Sequence, residues 1–205
     1  RSSLIGRIHL YQGSYATAEP FLSAGLVAVD APFQALYSLE SQNNFFTQAG
    51  ASRTQFSTDR RFGAYIAADA NEANRLDIEE VSDPSELTGP AEAAGTTFFR
   101  STLAGGDPLN IISWEENHLM RAEVALNGVG ADDALALVNA VRAASTIDPL
   151  VAVDLAALEI EREKELLHTP NRVLDQRRFG TWHLAAGTWQ WFPITQGERN
   201  NNPNF

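Results

Sequence analysis

The sequence predicts a mainly helical fold, built of helix pairs packed with a long loop-rich region and a few short strands. Three observations carry this. Apolar residues recur at helical spacing in several separate stretches. Short Gly- and Asn-containing breaks (Gly13-Ser14, Asn127-Gly128, Gly130) divide these stretches into hairpins. Between residues 30 and 113, Pro32, Pro84, Pro90 and Pro108, with Gly89, Gly95, Gly105 and Gly106, interrupt any long periodic run.

Residues 2–12 place Leu4, Ile5, Ile8 and Tyr11 on one helical face, and residues 15–29 resume the period with Tyr15, Ala18, Leu22, Leu26 and Val29. A second hairpin is expected from Leu119, Ala122 and Leu126 in residues 115–127, then Ala134, Leu137, Val138 and Val141 in residues 131–145. Small residues such as Ala18 and Ala134 let paired helices approach closely. The two hairpins share a loose pattern of the tetratricopeptide type. Two scattered copies cannot form a solenoid and must pack on something else. In the intervening region only Arg75–Ile78, Thr96–Arg100 and Asn110–Ser113 read as strands, and ordered loops of this length point to a binding surface. Residues 154–168 form a charged helix with Asp154 as N-cap, stopped by Thr169-Pro170. A short basic segment (171–180) and a Trp-rich polar tail follow. The organisation is therefore a single region in three parts: a helical hairpin (1–29), a loop-rich variable part (30–113), and a helical part with a distinctive carboxy-terminal run (114–205).

A formal net charge of -11 argues against nucleic acid, whose phosphates require clustered Lys and Arg. Because Cys is absent, a disulfide framework and a thiolate metal site are ruled out. No apolar stretch reaches membrane-spanning length. The chain opens on Arg1 directly into a helix, so it is expected to be truncated at its amino terminus.

Candidate chemistries are few. Glu115/His118 and Glu165/His168 each place a carboxylate and an imidazole at i, i+3, as di-iron bundles do, but such sites need further Glu residues that the neighbouring helices lack. The expectation is no metal and no cofactor. Glu115-Glu116 and the series Glu159, Glu161, Glu163, Glu165 could supply paired carboxyls for a glycosidase, yet alternation with Arg and Lys marks a salt-bridged helix instead. No Gly-x-Ser-x-Gly or phosphate-cradling loop occurs. The chain is read as a binding protein, not an enzyme. Glu161 and Glu165 are expected to pair with Arg172 or Arg178 and so fix the final segment. Trp182, Trp189 and Trp191 are the candidate ligand-binding residues, since indole rings stack on sugar faces; the competing reading is a local core.

Glu161-Arg162-Glu163-x-Glu165-Leu166, then Asn171-Arg172-x-x-Asp175-x-x-Arg178-Phe179-Gly180, resembles the ER-x-x-EL … R-x-x-DL-x-R-x-G pattern of the SusD/RagB nutrient-binding proteins. Phe192-Pro193-Ile194-x-x-x-Glu198 and Asn202-Pro203-Asn204 are similar to that family's FPIP-x-x-E … NPN close, with Thr195 where Pro is usual. Met120-Arg121-Ala122-Glu123 with Ala134 and Asn139-x-Val141-Arg142 resembles a third block. Leu4-x-x-Arg7-x-x-Leu10-Tyr11-x-Gly13-x-Tyr15-x-x-Ala18 resembles a fourth. The blocks occur in family order. The resemblance implies a lipid-anchored protein on the outer-membrane surface that binds an oligosaccharide or peptide nutrient and hands it to a TonB-dependent outer-membrane transporter. A tetratricopeptide-like scaffold binding only protein is the alternative, and a glycoside hydrolase the more remote one.

Overall fold

The computed structural model describes residues 1–49, 58–81 and 98–182. The chain divides into two units, the first ending at Thr169 and the second beginning at Pro170. The first unit opens with the hairpin α1 (Ser2–Tyr11) and α2 (Tyr15–Ser23) and ends with α5 (Trp114–Leu126), α6 (Ala134–Ala144) and α7 (Leu155–Glu165). Both hairpin turns use left-handed glycines where expected: Gly13 at φ 73°, Gly128 at 75° and Gly130 at 78°.

Helix α5 organises the unit. One face carries Met120 and Val124 into a cluster with Leu10, Ala18, Leu22 and Ile112. The other carries Leu119 and Ala122 into a cluster with Val138, Val141 and Leu158. A helix buried on two faces has no single apolar stripe, which is why its polar residues are also enclosed. Each of these is hydrogen-bonded. Glu116 accepts from Arg7 Nη2 at 2.7 Å, and the same nitrogen reaches the Ile111 carbonyl at 2.6 Å. Asn117 Nδ2 donates to the carbonyls of Leu22 and Leu26, both at 3.0 Å. Leu22 O also accepts from Gly25 N at 3.0 Å and Leu26 lies past α2, so Asn117 clamps the chain as it leaves that helix. The second helix stops at Ser23, not at residue 29. The chain bends at Gly25, where a Cβ would lie 2.4 Å from Ser3 Oγ and 2.6 Å from Asn117 Oδ1.

Close approach of α1 and α2 rests on Gly6 as well as Ala18. A Cβ on Gly6 would meet Leu22 Cδ2 at 2.4 Å, so the Leu22 side chain lies directly over the bare helix backbone. Ala18 is fully buried, as expected of a small interface residue; Ala134 is partly buried against the second cluster.

The loop-rich part departs from expectation in two ways. It contains helices α3 (Asn44–Ala49) and α4 (Arg60–Ala68) and a 3-10 turn over Ala70–Asn74. Asp59 caps α4 by accepting from Arg61 N, and Phe62 and Gly63 form its buried face; a Cβ on Gly63 would strike the Phe99 ring at 2.0 Å. The strands also shift. β2 is Ile78–Val81, not 75–78, because Leu76 N bonds back to Glu72 O and keeps residues 75–76 in the preceding turn. It pairs antiparallel with β3 (Phe98–Ser101). β4 (Leu109–Ile112) pairs antiparallel with β1 (Phe33–Ala35), a strand the sequence reading missed. β1 is only three residues long, too short for an alternating pattern to register.

Asp154 caps α7 as expected, accepting from Ala157 N at 2.8 Å. In the second unit, the basic segment is helix α8 (Asn171–Phe179). Gly180 at φ 72° closes it, with Thr181 N donating to Gln176 O at 2.9 Å, the six-to-one bond of a Schellman ending.

Candidate functional site

A charged frame joins α6, α7 and the turn that follows α4. Glu161 is buried and held from two sides: Arg142 Nη1 donates at 2.7 Å and Arg75 Nη2 at 2.8 Å. Arg75 also forks onto Glu72, through Nε at 2.7 Å and Nη2 at 3.1 Å. Lys164 Nζ closes the ring on Glu72 at 2.6 Å and lies 4.6 Å from the centre of the Tyr65 ring. Arg61 pairs with Glu163. This corrects the expectation for Glu161 and Glu165. The partners of Glu161 come from α6 and from the loop-rich part, and Glu165 faces Arg75, while Arg178 turns back to Asp175 at 2.8 Å within its own helix. The reason is burial: Glu161 points into the unit, where guanidinium groups fixed on α6 and in the loop-rich part replace its hydration.

Beside the frame lies a pocket of about 370 Å³. Gln34 of β1, Phe46 of α3 and Asn74 and Arg75 of the turn line one part of it. Asp77, Asp107 and Asn110 line another, and Glu165 and His168 complete it. Several polar groups are already oriented. Gln34 Nε2 donates to Asn110 Oδ1 at 2.7 Å, and Asn74 Nδ2 to Ser145 O at 2.9 Å. His168 sits at φ 66° just past α7, its ring edge-on to Phe46 with centroids 6.2 Å apart. The segment supplying Gln34 and Phe46 also exposes Phe33, Leu36, Leu39 and Phe45 to solvent.

The titrating groups of the pocket are displaced from their ordinary ranges. Burial pushes the Glu165 carboxyl up to about 7, opposed by Arg75 and assisted by the charges of Glu115 and Glu161. Burial pushes His168 down to about 4, so its ring is neutral at pH 7. Asp77 is raised by burial and then by Asp107. Within the frame, burial acts to raise Glu72, but its bonds to Arg75 and Lys164 prevail and hold it below the usual carboxylate range.

A pH dependence follows. Glu165 binds more protons folded than unfolded, so its contribution to stability is fully present below 4.5 and is lost as pH rises towards about 7. The loss amounts to at most about 3 kcal/mol. Glu72 acts in the opposite sense, weakening the fold as pH falls below its ordinary range. His168, held neutral by burial, acts in the opposite sense to Glu165 over the same window, so urea midpoints are expected to change little between pH 5 and 7 in the parent protein and to rise with pH in Glu165→Gln; an unchanged slope in the variant would place the titration elsewhere.

The two Glu-x-x-His pairs have separate lives. Glu165 and His168 line the pocket. His118 Nδ1 bonds the Trp114 carbonyl at 3.1 Å, and its ring stands edge-on to Trp114 at 5.0 Å. Among the described residues no three His, Asp or Glu side chains converge as a metal site would require. Of the candidate ligand residues, Trp182 lies just beyond α8, and Trp189 and Trp191 fall outside the described residues, as do the motifs at 192–204.

No protein-family model matches the chain, and no curated protein matches it in sequence. In structure it is similar to a laminarin binding SusD-like protein, with a TM-score of 0.68 over 94% of this chain at 18% identity. The chain has the SusD-like fold. It is also similar to surface glycan-binding protein A from Bacteroides thetaiotaomicron, with a TM-score of 0.52 over 87% of this chain at 16% identity. It spans 58% and 53% of those two structures. Among the described residues, those that carried the sequence resemblance are mostly frame, with Glu165 the one that also lines the pocket. Arg7 and Glu116 tie α1 to α5, Arg121 forks onto Asp132 at 2.8 and 2.7 Å, and Asn139 clasps both backbone groups of Leu150. Pocket residues such as Gln34, Phe46 and Asp107 lie between the motif blocks, where sequence alone offered no signal.

Proposed function

We propose that this chain is part of a cell-surface protein that binds glycan or another oligomeric nutrient and delivers it to a TonB-dependent outer-membrane transporter. The observation that carries the reading is the pocket built by the loop-rich part on a SusD-like frame. Amide and carboxylate side chains line it, and exposed Phe45 stands ring to ring with Phe46 of its wall, centroids 5.7 Å apart. Planar polar groups hydrogen-bond sugar hydroxyls, and aromatic faces cover sugar C–H groups. Both similar structures are named for glycan binding. The role is binding and hand-over, without catalysis, at the outer-membrane surface.

Calorimetry against laminarin, other neutral oligosaccharides and oligopeptides tests the reading. Saturable binding of at least one glycan or peptide is expected, and Phe45→Ala should weaken a bound glycan about fivefold. Absence of binding to every member of the panel would remove the reading, and failure to co-purify with a TonB-dependent transporter would remove the delivery step.

A further inference from the structure

Three buried polar atoms in the residues of the pocket wall have no hydrogen-bond partner: Arg75 Nη1, Glu165 Oε2 and His168 Nε2. The Arg75 side chain is only 3% exposed. Its Nε and Nη2 are committed to Glu72 and Glu161, which leaves Nη1 as the donor in reserve. Nη1 and Glu165 Oε2 face each other at 3.6 Å, beyond hydrogen-bonding distance. A group that joins them must accept from Arg75 and, with Glu165 ionised, donate to Glu165. A hydroxyl suits either protonation state of Glu165, an ammonium cannot accept from Arg75, and a carboxylate matches only the protonated form.

Charge selects in the same direction. Asp77 and Asp107 line the pocket, and Asp77 already feels Asp107. Arg75, the cation of this wall, has its charge met by the buried carboxylates of Glu72 and Glu161. An incoming anion would therefore face two carboxylates with no uncommitted cation among the lining residues. His168 stays neutral at pH 7 and can serve a second hydroxyl through Nε2.

Resting on the glycan-binding reading, we propose that this pocket takes a neutral sugar, one hydroxyl bridging Arg75 and Glu165 and a neighbouring hydroxyl meeting His168, and that it rejects uronate-bearing sugars. The discrimination is built by Asp77 and Asp107.

Calorimetry with neutral glucan, mannan and galactan oligosaccharides and a galacturonate oligosaccharide of equal length tests this. The protein should bind a neutral member at least about tenfold more tightly than the galacturonate. His168→Asn, which tolerates the left-handed backbone, should weaken the neutral sugar by about three- to tenfold. Asp77→Asn combined with Asp107→Asn should bring the galacturonate to within about threefold of the neutral sugar. Circular dichroism confirms that each variant is folded; should the double variant unfold, Asp107→Asn alone must narrow the gap. Equal affinity for both sugars overturns the proposal. So does a neutral sugar whose affinity falls in Phe45→Ala but not in His168→Asn, a result that leaves glycan binding standing. Binding of none of these oligosaccharides overturns the proposal together with the glycan reading beneath it.

Discussion

Glu161→Ala is expected to destabilise the protein by about 3–5 kcal/mol, the cost of leaving buried guanidinium groups without their carboxylate. The side chain is 3% exposed and is shared by Arg75 and Arg142, with Lys164 Nζ at 3.7 Å. After truncation Arg142 keeps the Asp148 carbonyl and a distant Glu72 oxygen at 3.8 Å, which is poor compensation. Domains of this size are stable by roughly 5–15 kcal/mol, so the loss is a large share of the total. Denaturant titration reads it directly. Glu161→Gln should cost less, because the amide oxygen still accepts one bond. Adding Arg142→Ala to Glu161→Ala should cost less than the sum of the two, since one removes the partner the other has orphaned. Strict additivity would mean that the two side chains are not coupled in solution.

Leu22→Ala is the second large effect, expected at about 2–5 kcal/mol. Leu22 is fully buried and covers Gly6, so truncation opens a cavity against bare helix backbone. Gly6→Ala alone should also destabilise, by about 1–3 kcal/mol, because its Cβ would lie 2.4 Å from Leu22 Cδ2. Combined, the two changes oppose each other: the new methyl enters the space the leucine leaves. The double variant is expected to be more stable than Leu22→Ala alone, by about 1 kcal/mol, with part of the gain from alanine's better helix propensity. A Gly6→Ala gain of the same size in the presence of Leu22 would assign it all to propensity and none to packing.

How far the sequence discloses this molecule depends on the range of the interactions involved. Helix periods, the Asp154 cap and the glycine turns are local, and each is found where the residues place it, to within a few positions. The second helix runs short, and the chain past its end is held by Asn117, more than ninety residues away. α4 was legible in principle from Asp59 and the spacing of Phe62 and Ile66, but Gly63 within it obscured the period. Glu161 and Glu165 were correctly singled out as ion-pair residues and wrongly partnered. Sequence shows charge and spacing, but it does not show that a turn at residue 75 folds back onto α7. For the pocket the same limit is sharper: Gln34, Asn74, Asp107 and His168 are unremarkable in sequence and acquire meaning only by convergence.

The pairing of β1 with β4 has a consequence of its own. Phe33 lies opposite Ile112, so the loop-rich part leaves and rejoins the helical frame through one narrow two-stranded neck. Chain inserted through such a neck can lengthen, shorten or change composition without separating the helices on either side, since its ends stay together. Arg75 then acts as an anchor for whatever is threaded there, latching the insert onto Glu161. The molecule thus has the build of a chassis with an exchangeable cartridge, provided that any replacement returns a buried cation to the same carboxylate.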